Sequence, residues 1–136
     1  METQKTRLRP PPVERFAGEI HRIDFGAVLE DLKEEAPNGN GHRQVALFHH
    51  GRVTQILFAF DADSELKEHS ANGLVTIHAL SGQLTVQASG ETHSLTAGTM
   101  LVLLPGVKHN VLATVASDML LTVHREEKIE EKSQDG

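Results

Sequence analysis

A chain of 136 residues, with 38% hydrophobic and 24% charged residues, is long enough to fold as one domain around a buried core. Its formal net charge of −6 argues against a nucleic-acid-binding face, and the absence of cysteine excludes disulfides, thiolate nucleophiles and cysteine-ligated zinc sites. No apolar run approaches the roughly 20 residues of a membrane-spanning helix, so we expect a soluble, cytoplasmic protein with no membrane partner.

Residues 1–40 are predicted to form an N-terminal arm with one short helix and a Gly/Asn-rich loop. The three consecutive prolines favour an extended arm, and the alternation in EIHRI, residues 19–23, favours a short strand. A helix is predicted to begin after Asp24, whose side chain can cap it, because apolar residues follow at helical spacing. Pro37 and the Asn and Gly residues after it end this helix.

Residues 41–125 have a different character. Short apolar runs such as RVTQILFAF, LVTIHAL and MLLTVHR alternate with turn signals such as Asn-Gly, Ser-Gly and Pro-Gly. This pattern is typical of an all-β sandwich or barrel, and it lacks the long helices that a parallel sheet requires. Residues 126–136 carry one apolar residue among charges and are predicted to be a flexible tail.

Two segments of the β region carry a more specific pattern. Residues 66–86 place His69 ahead of an alternating strand and Gly82 at the turn that follows it. Residues 98–113 begin at a glycine, continue through a Pro-Gly turn and place His109 at the start of another strand. Together these segments resemble the two motifs of the cupin superfamily, which comprises small RmlC-like jelly-roll barrels.

The resemblance covers residues 43–124 and implies a fold. We expect a single all-β domain, a cupin-like double-stranded β-helix (jelly-roll barrel), with the N-terminal arm and one short helix attached. Closing the sheets on themselves protects strand edges and creates an interior that can hold a small molecule. The resemblance further implies a homodimer and a small-molecule ligand.

In this family a divalent transition metal such as Fe, Mn, Ni or Zn is held by imidazoles and a carboxylate. His69 and His109 stand in two of the ligand places, whereas the other two hold Ala71 and Val75. The chain therefore lacks one imidazole and the only carboxylate of the set. His78 is the remaining candidate, but its odd offset from Val75 puts it on the opposite strand face unless a bulge or a slipped register intervenes.

The resemblance also places His69 and His109 at the mouth of the barrel. It predicts a ligand-binding wall of apolar side chains: Val75, Ile77, Leu101, Leu103 and Val111. The simpler interpretation of the two histidines remains open, namely that they are polar residues hydrogen-bonded to water or to each other.

Two hypotheses about function follow, and the residues assign no catalytic group. In the first, the barrel binds a small organic molecule as a sensor or carrier, without a complete metal site. In the second, the chain is a metal-dependent small-cupin enzyme, an oxygenase, isomerase or decarboxylase, that uses His69, His109 and a third ligand. Metal content distinguishes the two.

Overall fold

The computed structural model of the protein describes residues 9–127. The elements in chain order are α1 (Pro12–Arg15), α2 (Phe25–Leu32), β1 (His42–His50), β2 (Val53–Phe60), β3 (Ser64–His69), β4 (Gly73–Ser81), β5 (Gln83–Ala88), β6 (Glu91–Thr96), β7 (Met100–Leu103), β8 (His109–Ala113) and β9 (Ser117–Arg125). Neither helix is long and apolar enough to cross a membrane. The first residues of the predicted arm, 1–8, and most of the predicted tail, 128–136, lie outside the described residues.

The strands form two antiparallel sheets that face each other. The larger has the order β1-β2-β9-β4-β7, and the smaller has the order β3-β8-β5-β6. Apart from β1–β2 and β5–β6, strands that are adjacent in a sheet are not consecutive in the chain, so the chain crosses repeatedly between the sheets, as in a jelly roll. The prediction of an all-β barrel with one helix of two turns, α2, is confirmed.

The main core lies between the sheets, and buried side chains alternate with more exposed ones along β4, β5 and β8. In β4, Val75, Ile77 and Ala79 are buried, whereas Thr76 and His78 on the other face are half-buried. Both sheets contribute to this core through Phe58, Phe60, Leu84, Val86, Ala88, Leu95, Leu103, Val111, Ala113, Met119 and Leu121. Each strand thus presents one face to the interior and one to the outside.

Helix α2 covers part of the outer face of the larger sheet. It begins where predicted, because the Asp24 carboxylate accepts a hydrogen bond of 3.1 Å from the Ala27 backbone N–H. Leu32 is its fully buried residue and joins Leu57 and Ala59 of β2 in a second core. The amphipathic pattern of the sequence is therefore used to pack the helix on the sheet.

A small polar network ties the end of α2 to the barrel. The Lys33 ammonium lies 3.1 Å from the Asp118 carboxylate, which also accepts a 2.8 Å hydrogen bond from the Ser81 hydroxyl. Asp118 is buried at the start of β9, so these two donors supply the partners that a buried carboxylate requires.

The arm differs from its prediction in three places. Helix α2 ends at Leu32, before the predicted stop at Pro37, because the N–H groups of Glu34 and Glu35 bond to carbonyls three residues back and form a turn. The predicted extended run of prolines instead enters the one-turn helix α1, since proline is tolerated at a first helical position, where its missing N–H would be unpaired anyway. The predicted strand at residues 19–23 is wrong: the segment is irregular, and Ile20 is 90% exposed. No strand in the described part of the chain pairs with it, so alternation alone does not make it a strand.

Side-chain contacts hold the arm against the end of the helical region and against β1 of the barrel. The Arg9 guanidinium binds both carboxylate oxygens of Glu35 at 3.1 and 2.8 Å. Arg15 donates to the Ala46 carbonyl, and the Phe16 ring meets the Phe48 ring edge-on with centroids 6.2 Å apart. Side-chain anchors of this kind carry no signal in the local alternation of the sequence.

The β4–β5 turn depends on Gly82. Its φ of +77° lies in the left-handed region that favours glycine. A Cβ atom at this position would also overlap the Ala116 carbonyl and the Ser117 hydroxyl. The Ser117 hydroxyl is itself engaged, because it accepts a 3.0 Å hydrogen bond from the Gln83 N–H.

We expect Gly82→Ala to destabilise the fold more than Gly90→Ala. Gly90 has a similar φ of +73°, but a Cβ there would meet no atom within 4 Å. Gly90→Ala should therefore cost only the backbone penalty, about 1–2 kcal/mol. Gly82→Ala should cost about 1–3 kcal/mol more, because backbone and buried side-chain atoms must move. Urea denaturation measures both, and equal losses would show that the close contacts at Gly82 are unimportant.

Candidate functional site

The structure brings His69 and His109 together. They are paired residues on the antiparallel strands β3 and β8, next to a register shift between Leu66 and His69. The centroids of the two imidazole rings lie 4.2 Å apart, with the ring planes inclined at 60°. His109 is only 2% exposed and His69 is half-buried, so the pair sits at the edge of the core with one ring open to the outside.

Backbone carbonyls select one tautomer of each ring. His69 Nδ1 lies 2.8 Å from the Lys67 carbonyl oxygen, and His109 Nδ1 lies 3.0 Å from that of Val107. A carbonyl oxygen only accepts hydrogen bonds, so each Nδ1 carries the proton. The Nε2 atom of each neutral ring is left with a free lone pair, as in histidines that bind metals or accept hydrogen bonds.

His109 Nε2 is the unusual atom of the pair. It is buried and has no hydrogen-bond partner in the described part of the chain. Burial lowers the pKa of His109, an effect that the bond to the Val107 carbonyl opposes and the neighbouring His69 reinforces. His109 is therefore neutral near pH 7, with an acceptor whose partner must come from elsewhere.

The two positions that would complete a metal site remain apolar in three dimensions. Ala71 packs against the main core, and Val75 points into it. His78 lies on the opposite face of β4 from Val75, as alternation predicts, and the irregularity of β4 falls beyond it, between Ala79 and Ser81. Across residues 9–127 no three His, Cys, Asp or Glu side chains form a group that could hold a metal ion. Two imidazoles without a third ligand do not fit a resident catalytic metal.

The predicted apolar wall lies inside the barrel but is closely packed. Ile77 and Val111 are 0% exposed, and Val75 and Leu103 are also buried. Leu101 is half-buried and packs against the same core. Side chains without accessible surface fill the interior rather than line an open cavity, so the accessible part of this end is the mouth around His69.

A polar cavity of about 260 Å³ lies at the opposite end of the barrel. Its lining includes Lys33, Arg43, Asp61 and Asp118. The cations and carboxylates pair with each other, Lys33 with Asp118 and Arg43 with Asp61. These pairs satisfy the four charges, and among the described residues no buried side-chain atom of this lining lacks a hydrogen-bond partner.

Sequence reasoning missed a second polar group at the same end as the histidine pair. Arg125, the last residue of β9, donates a 2.9 Å hydrogen bond to the hydroxyl of Thr54 on β2. The same hydroxyl lies 2.8 Å from His49 Nδ1. The available signal was the two-residue alternation of MLLTVHR, in which Met119, Leu121 and Val123 face the core and Arg125 follows in the same series.

Comparisons with known proteins identify the fold. No family model and no curated protein sequence matches the chain. Among solved structures, the chain is similar to the conserved SPY1581 protein of unknown function from Streptococcus pyogenes, with 20% identity, a TM-score of 0.64 and coverage of 94% of this chain and 98% of that one.

The chain is also similar to the solved structures of two cupins. A cupin superfamily protein from Desulfitobacterium hafniense has 16% identity and a TM-score of 0.63, with coverage of 92% of this chain and 100% of that one. An RmlC-like cupin from Shewanella frigidimarina has 20% identity and a TM-score of 0.62, with coverage of 67% and 82%. The chain therefore has the jelly-roll fold of the cupin superfamily.

Proposed function

We propose that the chain binds a small organic molecule at the mouth of the barrel, through the Nε2 atoms of His69 and His109. The observation that carries this proposal is the buried Nε2 of His109, which has no hydrogen-bond partner among residues 9–127. Leaving a buried acceptor without a partner costs about 1–3 kcal/mol, and a ligand hydroxyl or amino group removes that cost by donating to it. Sensor or carrier roles follow from reversible binding of this kind.

The tautomers support a ligand that donates hydrogen bonds. Both Nδ1–H groups are used by backbone carbonyls, so each ring presents an acceptor and no donor to a guest. The half-buried ring of His69 lies between the solvent and the buried ring of His109. Because the interior below is filled, the ligand occupies the mouth and contacts the top of the core rather than its centre.

The metal-dependent enzyme, an oxygenase, isomerase or decarboxylase, is the competing hypothesis. It is favoured by the two free Nε2 atoms, which are chemically suited to a divalent transition metal. It is disfavoured by Ala71 and Val75, which supply neither the third donor nor the negative charge that would hold such an ion.

Metal content and ligand binding separate these hypotheses. We expect tag-free protein to contain below about 0.1 equivalent of transition metal by mass spectrometry, because two imidazoles bind an ion loosely. In calorimetry with a panel of hydroxylated and amino-bearing metabolites, we expect binding that His109→Leu weakens about tenfold through loss of the acceptor. His78→Leu, on the outer face of β4, is the matched control and should bind normally.

Stoichiometric metal that is lost in His69→Ala would favour the enzyme instead. Failure of every compound in the panel to bind would count against the organic-ligand proposal, whatever the metal content.

The stability of the fold should fall as the pH drops below about 6.5, the ordinary pKa of histidine. Burial lowers the folded-state pKa of His109, and it does the same for His42, which lies against the Phe58 and Phe60 rings. The unfolded chain then binds more protons than the folded chain, so stability is complete above the unfolded pKa and is lost as pH falls from there toward the folded value.

Urea denaturation at about pH 7.5 and about pH 5.5 measures this effect, with an upper limit of about 1.4 kcal/mol per pH unit for each histidine. His109→Leu should reduce the pH dependence, and His78→Leu should leave it unchanged. A pH dependence that His109→Leu does not alter would show that His109 is protonated as readily in the folded as in the unfolded chain.

A further inference from the structure

Arg125, on strand β9 of the larger sheet, lies at the mouth of the barrel. Val123 of β9 packs against the main core, and Arg125 lies two residues further along the same strand, on the same face. Arg125 pairs with Gly73, the first residue of β4, so it stands at the end of the sheet where β4 begins.

The histidine pair belongs to this same end. Residues 70–72 connect His69 to β4, and they are bound on both sides. The Asn72 carbonyl accepts a 3.0 Å hydrogen bond from Glu126 N–H, next to Arg125. The Ala71 carbonyl accepts one of 3.0 Å from Gly106 N–H, in the loop that precedes His109. The connection therefore joins the end of β9 to the loop beside the histidines.

Arg125 is held in place by hydrogen bonds, but no carboxylate among residues 9–127 neutralises its charge. Its Nη1 donates to the Thr54 hydroxyl at 2.9 Å and to the Arg52 carbonyl at 3.5 Å. Thr54 is only 8% exposed, so the first anchor is a buried group. Since this hydroxyl accepts from Arg125, its own proton is free to go to His49 Nδ1, 2.8 Å away, which leaves His49 with an Nε2–H donor.

The remaining edge of the Arg125 guanidinium is unused. Within residues 9–127, Nε and Nη2 form no hydrogen bond, and no carboxylate forms an ion pair with Arg125. Other arginines of the chain do have such partners: Arg9 pairs with Glu35, Arg43 with Asp61 and Arg52 with Glu127. The Nε–Nη2 edge of arginine is a fork that matches the two oxygens of a carboxylate.

We infer that the ligand of this mouth is an organic acid, whose carboxylate binds Arg125 while its hydroxyl donates its one proton to a free Nε2 atom of the histidine pair. This inference rests on the proposed function and adds the ligand class: a small hydroxy acid with an apolar body. Ala71 and Val107, which pack on the core at this end, supply the apolar contact. The two sheets then recognise different ends of one molecule.

Calorimetry with mandelate, mandelamide and phenylacetate tests this inference at a pH of about 8, above the ordinary pKa of histidine. Mandelate carries a carboxylate, a hydroxyl and an apolar ring; mandelamide lacks the charge, and phenylacetate lacks the hydroxyl. We expect mandelate to bind at least about tenfold more tightly than either analogue, because each analogue loses one of the two polar contacts. Lactate and 3-phenyllactate extend the series to smaller and larger acids.

Variants then assign the contacts. Arg125→Gln should weaken mandelate binding by about tenfold or more and leave mandelamide unchanged, and Arg125→Lys should recover part of the loss, since it keeps the charge but not the fork. Arg52→Gln is the matched control: it removes a neighbouring exposed arginine, already paired with Glu127, and should change affinity less than about twofold. Unchanged thermal unfolding establishes that each variant is folded.

These experiments distinguish failure of the organic-acid inference from failure of the proposed binding function. The inference of an organic acid is wrong if mandelamide binds as tightly as mandelate. It is also wrong if Arg125→Gln does not change the affinity while His109→Leu lowers it. In both cases the proposed binding site at the histidine pair is retained. If mandelate, lactate and 3-phenyllactate all fail to bind but neutral hydroxylated compounds bind, the inference of an organic acid is again wrong and the histidine site is retained. If no compound binds at all, both the ligand class and the binding function are wrong.

Discussion

Val75, Ile77 and Ala79 occupy one face of β4, and their packing against the smaller sheet fills the middle of the barrel. This close packing decides where chemistry can occur. The core side chains have little or no accessible surface, so space for a ligand is left only at the ends of the barrel. It also explains why β4 alternates regularly from Val75 to Ala79: a shift by one residue would turn the apolar series outward and the polar series inward.

At one end the packed core meets two imidazoles, and the surrounding backbone determines their chemistry. Carbonyls at Lys67 and Val107 hold the protons on Nδ1, and burial keeps His109 neutral. The result is a pair of acceptors at an apolar boundary, without the carboxylate that would attract a cation. Such a site is better suited to a polar group of an organic molecule than to a bare ion.

The larger sheet contributes a hydrogen-bond donor, Arg125, at the end of the barrel where the smaller sheet contributes the two histidine acceptors. Arg125 is a donor with a fixed charge, whereas each histidine presents an Nε2 acceptor, and the segment between His69 and β4 hydrogen-bonds to both regions. A molecule that spans them must carry an anion at one end and a donor at the other. In the proposed binding mode, specificity comes from the separation of the two sheets, which the packed core sets.

The sequence by itself determined the strand pattern, the helix after Asp24, the all-β fold and the outward face of His78, because alternation, capping and turn chemistry are local. Only the tertiary structure decided that the arm contains α1 and no strand at residues 19–23, since strand formation needs a partner. It also decided the tautomers of the histidines and the meeting of Thr54 with Arg125. These depend on contacts between residues far apart in the chain, which no local pattern records.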